Sequence, residues 1–218
     1  MRPRQVVVVT GTGTEIGKTW VAAQLIASLR EAGVTVAARK PAQSFVAGET
    51  VTDADVLAQA SGEATDVVCP RDRRYPVPMA PPMAAEALGL EPPSLSGLAR
   101  EIEDGWPDAQ VDIGIVEGAG GVASPQATDG DTADLARALR AERAVLVADA
   151  GLGTINLVRM SIAALAPVPV LVFLNRYEAS DGLHRANRTW LQERDCLEVV
   201  VDVGVLAGAI SPPGTTHR

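Results

Sequence analysis

Short β-branched runs alternate with helix-spaced apolar stripes along the whole chain. Residues 5–10 (QVVVVT) read as a buried strand ending at a glycine. Residues 18–32 follow as a helix, with Trp20, Val21, Gln24, Leu25 and Leu29 near helical spacing and Gly33 as its stop. The same alternation recurs. Strands are expected at 34–39, 112–117, 144–149, 168–174 and 197–203. Helices are expected at 53–61, started by Thr52 or Asp53, and at 95–105, 131–141, 154–165 and 185–194. The proline-rich stretch 68–93 reads as loop with one short helix at 83–88. This order predicts a doubly wound, mainly parallel α/β sheet with helices on both faces. Residues 1–210 form one expected domain, and the Pro/Gly-rich tail 211–218 is expected to be disordered. No repeat or linker interrupts the pattern.

Composition sharpens this picture. The chain has 218 residues, 47% hydrophobic and only 3% aromatic, so its core must be built from Val, Leu, Ile and Ala. Such a core suits parallel strands covered on both faces. The formal net charge of -8 disfavours nucleic acid and anionic membrane as partners. It also means that any nucleotide site needs local cations. Cys69 and Cys196 lie far apart without CxxC spacing and read as reduced thiols, neither disulfide nor zinc ligands. The apolar run at 6–9 is too short for a signal peptide or a membrane span, which leads to the expectation of a cytoplasmic protein.

The strongest chemical signal is Gly11-Thr12-Gly13-Thr14-Glu15-Ile16-Gly17-Lys18-Thr19, between a strand and a helix. There, successive backbone N–H groups and a helix N-terminus form an anion cradle, the mark of a P-loop nucleotide-binding fold. Lys18 suits the β- and γ-phosphates of a nucleoside triphosphate, and the Thr19 hydroxyl suits Mg²⁺. The usual pattern has glycine five residues before Gly17, where this chain has Thr12. A second signal is VDIGIVEGAGG at 111–121: a strand, then Glu117, then three glycines in four residues. This puts a hard oxygen ligand at the carboxyl edge of the sheet, where doubly wound folds bind ligands. Lys40 closes the second strand and, if that strand neighbours the first, can point a second ammonium into the same crevice. Asp53 and Asp55 are each open to a metal or a capping role. Asp129, Asp131 and Asp134 read as caps, Arg71, Arg73 and Arg74 as solvated, and His184 and His217 as lone histidines without a site.

Taken in order, these pieces resemble the dethiobiotin synthetase family. The matching segments are GTGTEIGKT, Lys40-Pro41 with Ser44, Asp53-Ala54 with Leu57, YPVPMAP with Ala84, Ala85 and Glu86, EGAGG, DGDTADLA and GLGTIN, covering roughly residues 5–190. The resemblance implies a homodimeric enzyme joining 7,8-diaminopelargonic acid and CO₂ with MgATP. A carbamate and a carbamic-phosphoric anhydride would precede closure of the ureido ring, giving dethiobiotin, ADP and phosphate. It implies that Thr14, Lys18, Lys40 and Ser44 hold the carbamate and γ-phosphate. Gly13, Thr14, Glu15, Ile16, Gly17, Lys18 and Thr19 would cradle the nucleotide. Thr19, Asp53 and Glu117 would ligate Mg²⁺, which favours Asp53 over Asp55. Gly153, Thr154 and Asn156 would hold the substrate carboxylate across the dimer interface, with Asn187 on the substrate side, and Asn175 would recognise adenine. The chain departs from the family after Gly204-Val205-Leu206: where a proline-containing adenine loop and a final helix usually follow, 207–210 lead into the tail. A partitioning-type ATPase switch would share the fold, but that group carries an extra lysine near the start of its phosphate loop, and Thr12-Gly13-Thr14 offers none.

Overall fold

A computed structural model describes residues 1–212. In chain order its elements are β1 (Gln5–Gly11), α1 (Lys18–Glu31), β2 (Val36–Arg39), β3 (Gln43–Ser44), α2 (Asp53–Ser61), α3 (Thr65–Val68), a 3-10 turn (Arg71–Arg73), β4 (Arg74–Tyr75), α4 (Pro81–Ala87), α5 (Leu95–Asp104), β5 (Ile113–Glu117), β6 (Pro125–Ala127), β7 (Gly130–Asp131), α6 (Thr132–Ala138), β8 (Arg143–Asp149), α7 (Thr154–Leu165), β9 (Val170–Asn175), α8 (Gly182–Glu193), β10 (Val199–Val200) and α9 (Val203–Ile210).

Six strands form one sheet in the order β10-β9-β8-β1-β5-β2. Every pairing within it is parallel. Alternate side chains of β1 feed opposite faces, as strand geometry requires. Val7 and Val9 pack with Leu25, Leu29, Leu57 and Leu206 under α1, α2 and α9. Val6 and Val8 pack with Leu98, Ile102 and Leu135 under α5 and α6. Leu146, Val172 and Leu174 continue the second face beneath α7 and α8. Each such fully buried aliphatic side chain contributes roughly 1.5–3 kcal/mol. Aliphatic side chains dominate the core, with Phe173 and Trp106 as aromatic members on its two faces.

Two expectations change. β2 does not neighbour β1: β5 lies between them. The last strand is only Val199–Val200, and the chain turns at Asp202, whose carboxylate accepts from Val205 N, into α9. No helix was expected there, because Gly204, Gly208 and the alanines give no polar face to contrast with the apolar one. Leu206, Ala207 and Ile210 close the core beside α1. Of the expected disordered tail, 213–218 lie outside the described residues. No helix among the described residues is long and apolar enough to cross a membrane.

Candidate active site

The phosphate loop leaves β1 at Gly11 and enters α1 at Lys18. Gly17 caps that helix at φ 88°, a left-handed backbone, and a Cβ there would run into the Asn175 side chain. Asn175, at the end of β9, donates Nδ2 to the Ile16 carbonyl at 2.8 Å. Next to it, Arg176 donates Nη2 to the Glu15 carbonyl at 2.9 Å, and Glu15 itself has φ 59°. From the other side, Val122 N donates to the Gly11 carbonyl at 3.0 Å. A Cβ on Gly121 would stand 3.3 Å from that carbonyl, so glycine lets the turn after β5 close on the loop. The loop is thus held by two other strand ends before any ligand binds.

At its base lies a compact charge cluster. Lys18 folds back to donate Nζ to the Gly13 carbonyl at 2.7 Å. Thr19 donates Oγ1 to Glu117 Oε1 at 2.8 Å. Lys40 donates Nζ to the same Glu117 oxygen at 2.6 Å and to Asp53 Oδ2 at 2.7 Å. Lys40 is 2% exposed and Glu117 is 0% exposed. Although β5 separates β2 from β1, the side chains still meet, because Lys40 follows β2 and Glu117 ends β5, β2's own partner strand. Each group's protonation follows from its surroundings. Burial works against the Lys18 ammonium, and Lys40 adds repulsion, so its pKa falls despite Glu117. Burial opposes the Lys40 ammonium too, but Glu117 and then Asp53 outweigh it and hold it charged, above the ordinary lysine range. Burial raises the Glu117 pKa, with Lys40 pulling the other way. Asp53 keeps a lowered pKa because Lys40 overrides its partial burial.

Above the cluster opens a cleft of about 600 Å³. Thr14, Glu15, Gly17, Lys18, Thr19, Lys40, Ser44 and Asp53 all line it. Ser44 brings a buried Oγ without a hydrogen-bond partner, and Glu117 a buried Oε2 in the same condition. Asp55 faces away: it completes a capping box with Thr52 and accepts from Thr65 Oγ1 at 3.0 Å. Thr19, Asp53 and Glu117 thus converge as an all-oxygen set suited to a hard divalent cation. The free Glu117 oxygen is the buried ligand position such an ion would satisfy.

Four of the expected substrate residues are not brought to this cleft. Gly153 and Thr154 open α7, and Asn156 lies on its first turn, one strand further along the sheet. Asn187 is buried and gives Nδ2 to the carbonyls of Ala150 at 2.9 Å and Gly151 at 2.8 Å, holding the turn that precedes α7. Among the described residues, those read as non-functional have structural partners, and His217 lies outside the described residues. Asp131 caps α6 and Asp129 accepts from Leu95 N. Arg71 and Arg74 pair with Asp66, Arg73 pairs with Glu101, and His184 Nδ1 accepts from Glu178 N.

Three supporting side chains carry no signal in the sequence. Arg176 tethers the loop. Gln126, fully buried, exchanges hydrogen bonds with the backbone of Ala119 at 3.0 and 2.7 Å and fixes the glycine turn. Gln43 reaches the start of α2. A buried carboxamide has no periodicity or spacing in the sequence. Only the adjacency of Arg176 to Asn175, and of Gln43 to Ser44, could have drawn notice.

A parallel sheet with a phosphate loop, a lysine at its mouth and an oxygen cluster beneath it defines a P-loop nucleotide-binding α/β protein. The AAA domain family matches residues 5–206. The chain is 43% identical over 165 residues to the ATP-dependent dethiobiotin synthetase BioD of Rhodococcus jostii (strain RHA1), covering 74% of this chain and 68% of that protein. It is 42% identical over 164 residues to the BioD of Parafrankia sp. (strain EAN1pec), covering 74% of this chain and 66% of that protein. With the BioD of Rhodococcus erythropolis the identity is 38% over 185 residues, covering 83% and 79%. The chain therefore belongs to the dethiobiotin synthetase family of ATP-dependent C–N ligases. For the first two relatives the match spans about two thirds of their own length. Among solved structures, a plasmid partition protein from Borrelia burgdorferi aligns over 95% of this chain and 96% of its own, with a TM-score of 0.54 and 8% identity. The MinC:MinD complex of Aquifex aeolicus aligns over 89% and 79%, at 0.53 and 15%. These likenesses carry the fold alone.

Proposed function

We propose that this chain makes dethiobiotin from 7,8-diaminopelargonic acid and CO₂, using ATP and Mg²⁺. The observation that carries the reading is the Lys40 ammonium, buried at the floor of the phosphate-loop cleft between Glu117 and Asp53. One substrate amine takes up CO₂ as a carbamate and releases a proton. A carbamate oxygen then receives the γ-phosphoryl group of ATP. Attack by the second amine on the carbamoyl carbon expels phosphate and closes the ureido ring.

The chain's own groups divide this work. Backbone N–H groups of Gly13 to Gly17 and the start of α1 take the ATP phosphates, with Lys18 on the β- and γ-phosphates. Asn175 offers Oδ1 to the adenine. Thr19, Asp53 and Glu117 would hold Mg²⁺, which when bound would supply neutralisation of phosphate charge. Lys40 stays protonated in its buried setting and donates to the carbamate and to the phosphoryl group in transit, an electrostatic role preorganised by the fold. Thr14 and Ser44 donate to the same oxygens. Gly153, Thr154 and Asn156 take the substrate carboxylate at the N-terminus of α7 from a neighbouring subunit of a homodimer, and Asn187 steadies their turn. The distance of that turn from the cleft supports service to a second subunit. Isotopically labelled bicarbonate tests the reading: with diaminopelargonate and MgATP the label should enter the ureido carbonyl of dethiobiotin, and an unlabelled or absent product would refute it.

A further inference from the structure

Gln43 follows Lys40 by three residues in β3 and is 2% exposed. Both ends of its carboxamide are spent on the first turn of α2. Its Oε1 accepts from Ala54 N at 2.9 Å, and its Nε2 donates to Thr52 Oγ1 at 3.0 Å. The Thr52 hydroxyl gives its one proton to Asp55 Oδ2 at 2.7 Å, so it meets Gln43 as an acceptor. Asp53 lies between these two anchored residues. Its side chain remains 47% exposed, and its Oδ2 receives Lys40 Nζ at 2.7 Å. The first residue of a helix frays readily, so the place of a half-exposed carboxylate there depends on the backbone that carries it.

We propose that Gln43 is a positioning residue for the cation site: it clamps the Thr52–Ala54 backbone so that the Asp53 carboxylate stays beside Thr19 and Glu117. Asp55 and Thr65 tie the same turn from its outer side, and Gln43 is the tie on the cleft side. A carboxamide suits the place because it supplies a donor and an acceptor without adding charge near two carboxylates. The inference rests on the reading of Asp53 as a Mg²⁺ ligand.

Gln43→Met keeps the volume and removes both hydrogen bonds. Calorimetric titration of ATP binding to the full chain at graded Mg²⁺, without turnover, reads the site directly. The half-saturating Mg²⁺ concentration should rise about tenfold, as for loss of a partner behind a metal ligand, while Mg²⁺-free ATP binding changes less than about twofold. On an Asp53→Asn background Gln43→Met should add nothing. Ser94→Ala, which removes the cap of α5 away from the cleft, should lower the thermal midpoint without moving the Mg²⁺ dependence. An unshifted Gln43→Met beside a shifted Asp53→Asn overturns the positioning role alone. If Asp53→Asn is itself unshifted, the metal reading of Asp53 falls, and the role of Gln43 falls with it.

Discussion

Lys18 and Lys40 sit in one cluster, yet their surroundings assign them different work. Lys18 is bound to the phosphate loop's own Gly13 carbonyl and starts the helix that follows the loop, so on the proposed mechanism it would meet phosphate in every nucleotide-bound state. Lys40 comes from a different strand and is kept charged by two carboxylates. On the proposed mechanism its contact would strengthen only as charge develops on the transferring group. Interactions made only in the transition state act on kcat, whereas uniform ones act on binding. Lys40→Gln should therefore leave the Kd for ATP within about threefold and cut kcat by roughly 10². Lys18→Gln should damage both. Lys40→Arg should not restore the rate, because a planar guanidinium does not replace a compact ammonium between Glu117 and Asp53. Near wild-type turnover by Lys40→Gln in a steady-state assay would remove Lys40 from the mechanism. Asp53→Ala should raise the Mg²⁺ requirement of turnover far more than Asp55→Ala, whose carboxylate is committed to the helix cap; equal losses would contradict the choice between them.

At the scale of elements, the start of α2 joins stability to the site. Asp55 has its pKa lowered first by the Thr52 backbone N–H, then by the Thr52 hydroxyl, against a small opposing burial. Its stabilisation is therefore present in full above the unfolded aspartate pKa of about 3.9 and is lost as pH falls through the lower folded value. Asp55→Ala should cost about 1 kcal/mol near neutrality, and the difference from wild type should vanish in acid, measured by urea unfolding across pH. A pH-independent difference would mean that the cap contributes nothing through its charge. The long elements were legible in the sequence because their buried faces repeat: four consecutive valines, 6–9, in β1, and apolar residues at helical spacing in α1. The paired strands β3 with β4 and β6 with β7 are two or three residues long, too short to carry a period, and α9 is apolar all round. In the site, the phosphate loop, Lys40, Asp53 and Glu117 were readable because each ends or follows a strand or opens a helix at a sheet edge. Gln43, Gln126 and Arg176 were not, since their importance lies in backbone groups that fold next to them from elsewhere in the chain.

On the whole-molecule scale, the turn before α7 and that helix's outer face carry Leu152, 91% exposed, with Met160 and Leu157 also exposed. Adjacent exposed aliphatic side chains of this kind favour association. The expected assembly is a homodimer through this face, with Leu152→Asp and Met160→Glu each shifting it toward monomer in sedimentation velocity. A wild-type chain that is monomeric and fully active would refute the shared-site arrangement. ATP turnover of the purified chain with and without diaminopelargonate reads whether this cleft couples ATP to ureido ring closure. Slow ADP release is expected with MgATP and bicarbonate alone, and a large stimulation by the diamine, with dethiobiotin formed in step with ADP. Diamine-independent hydrolysis at the full rate, with no dethiobiotin formed, would contradict it.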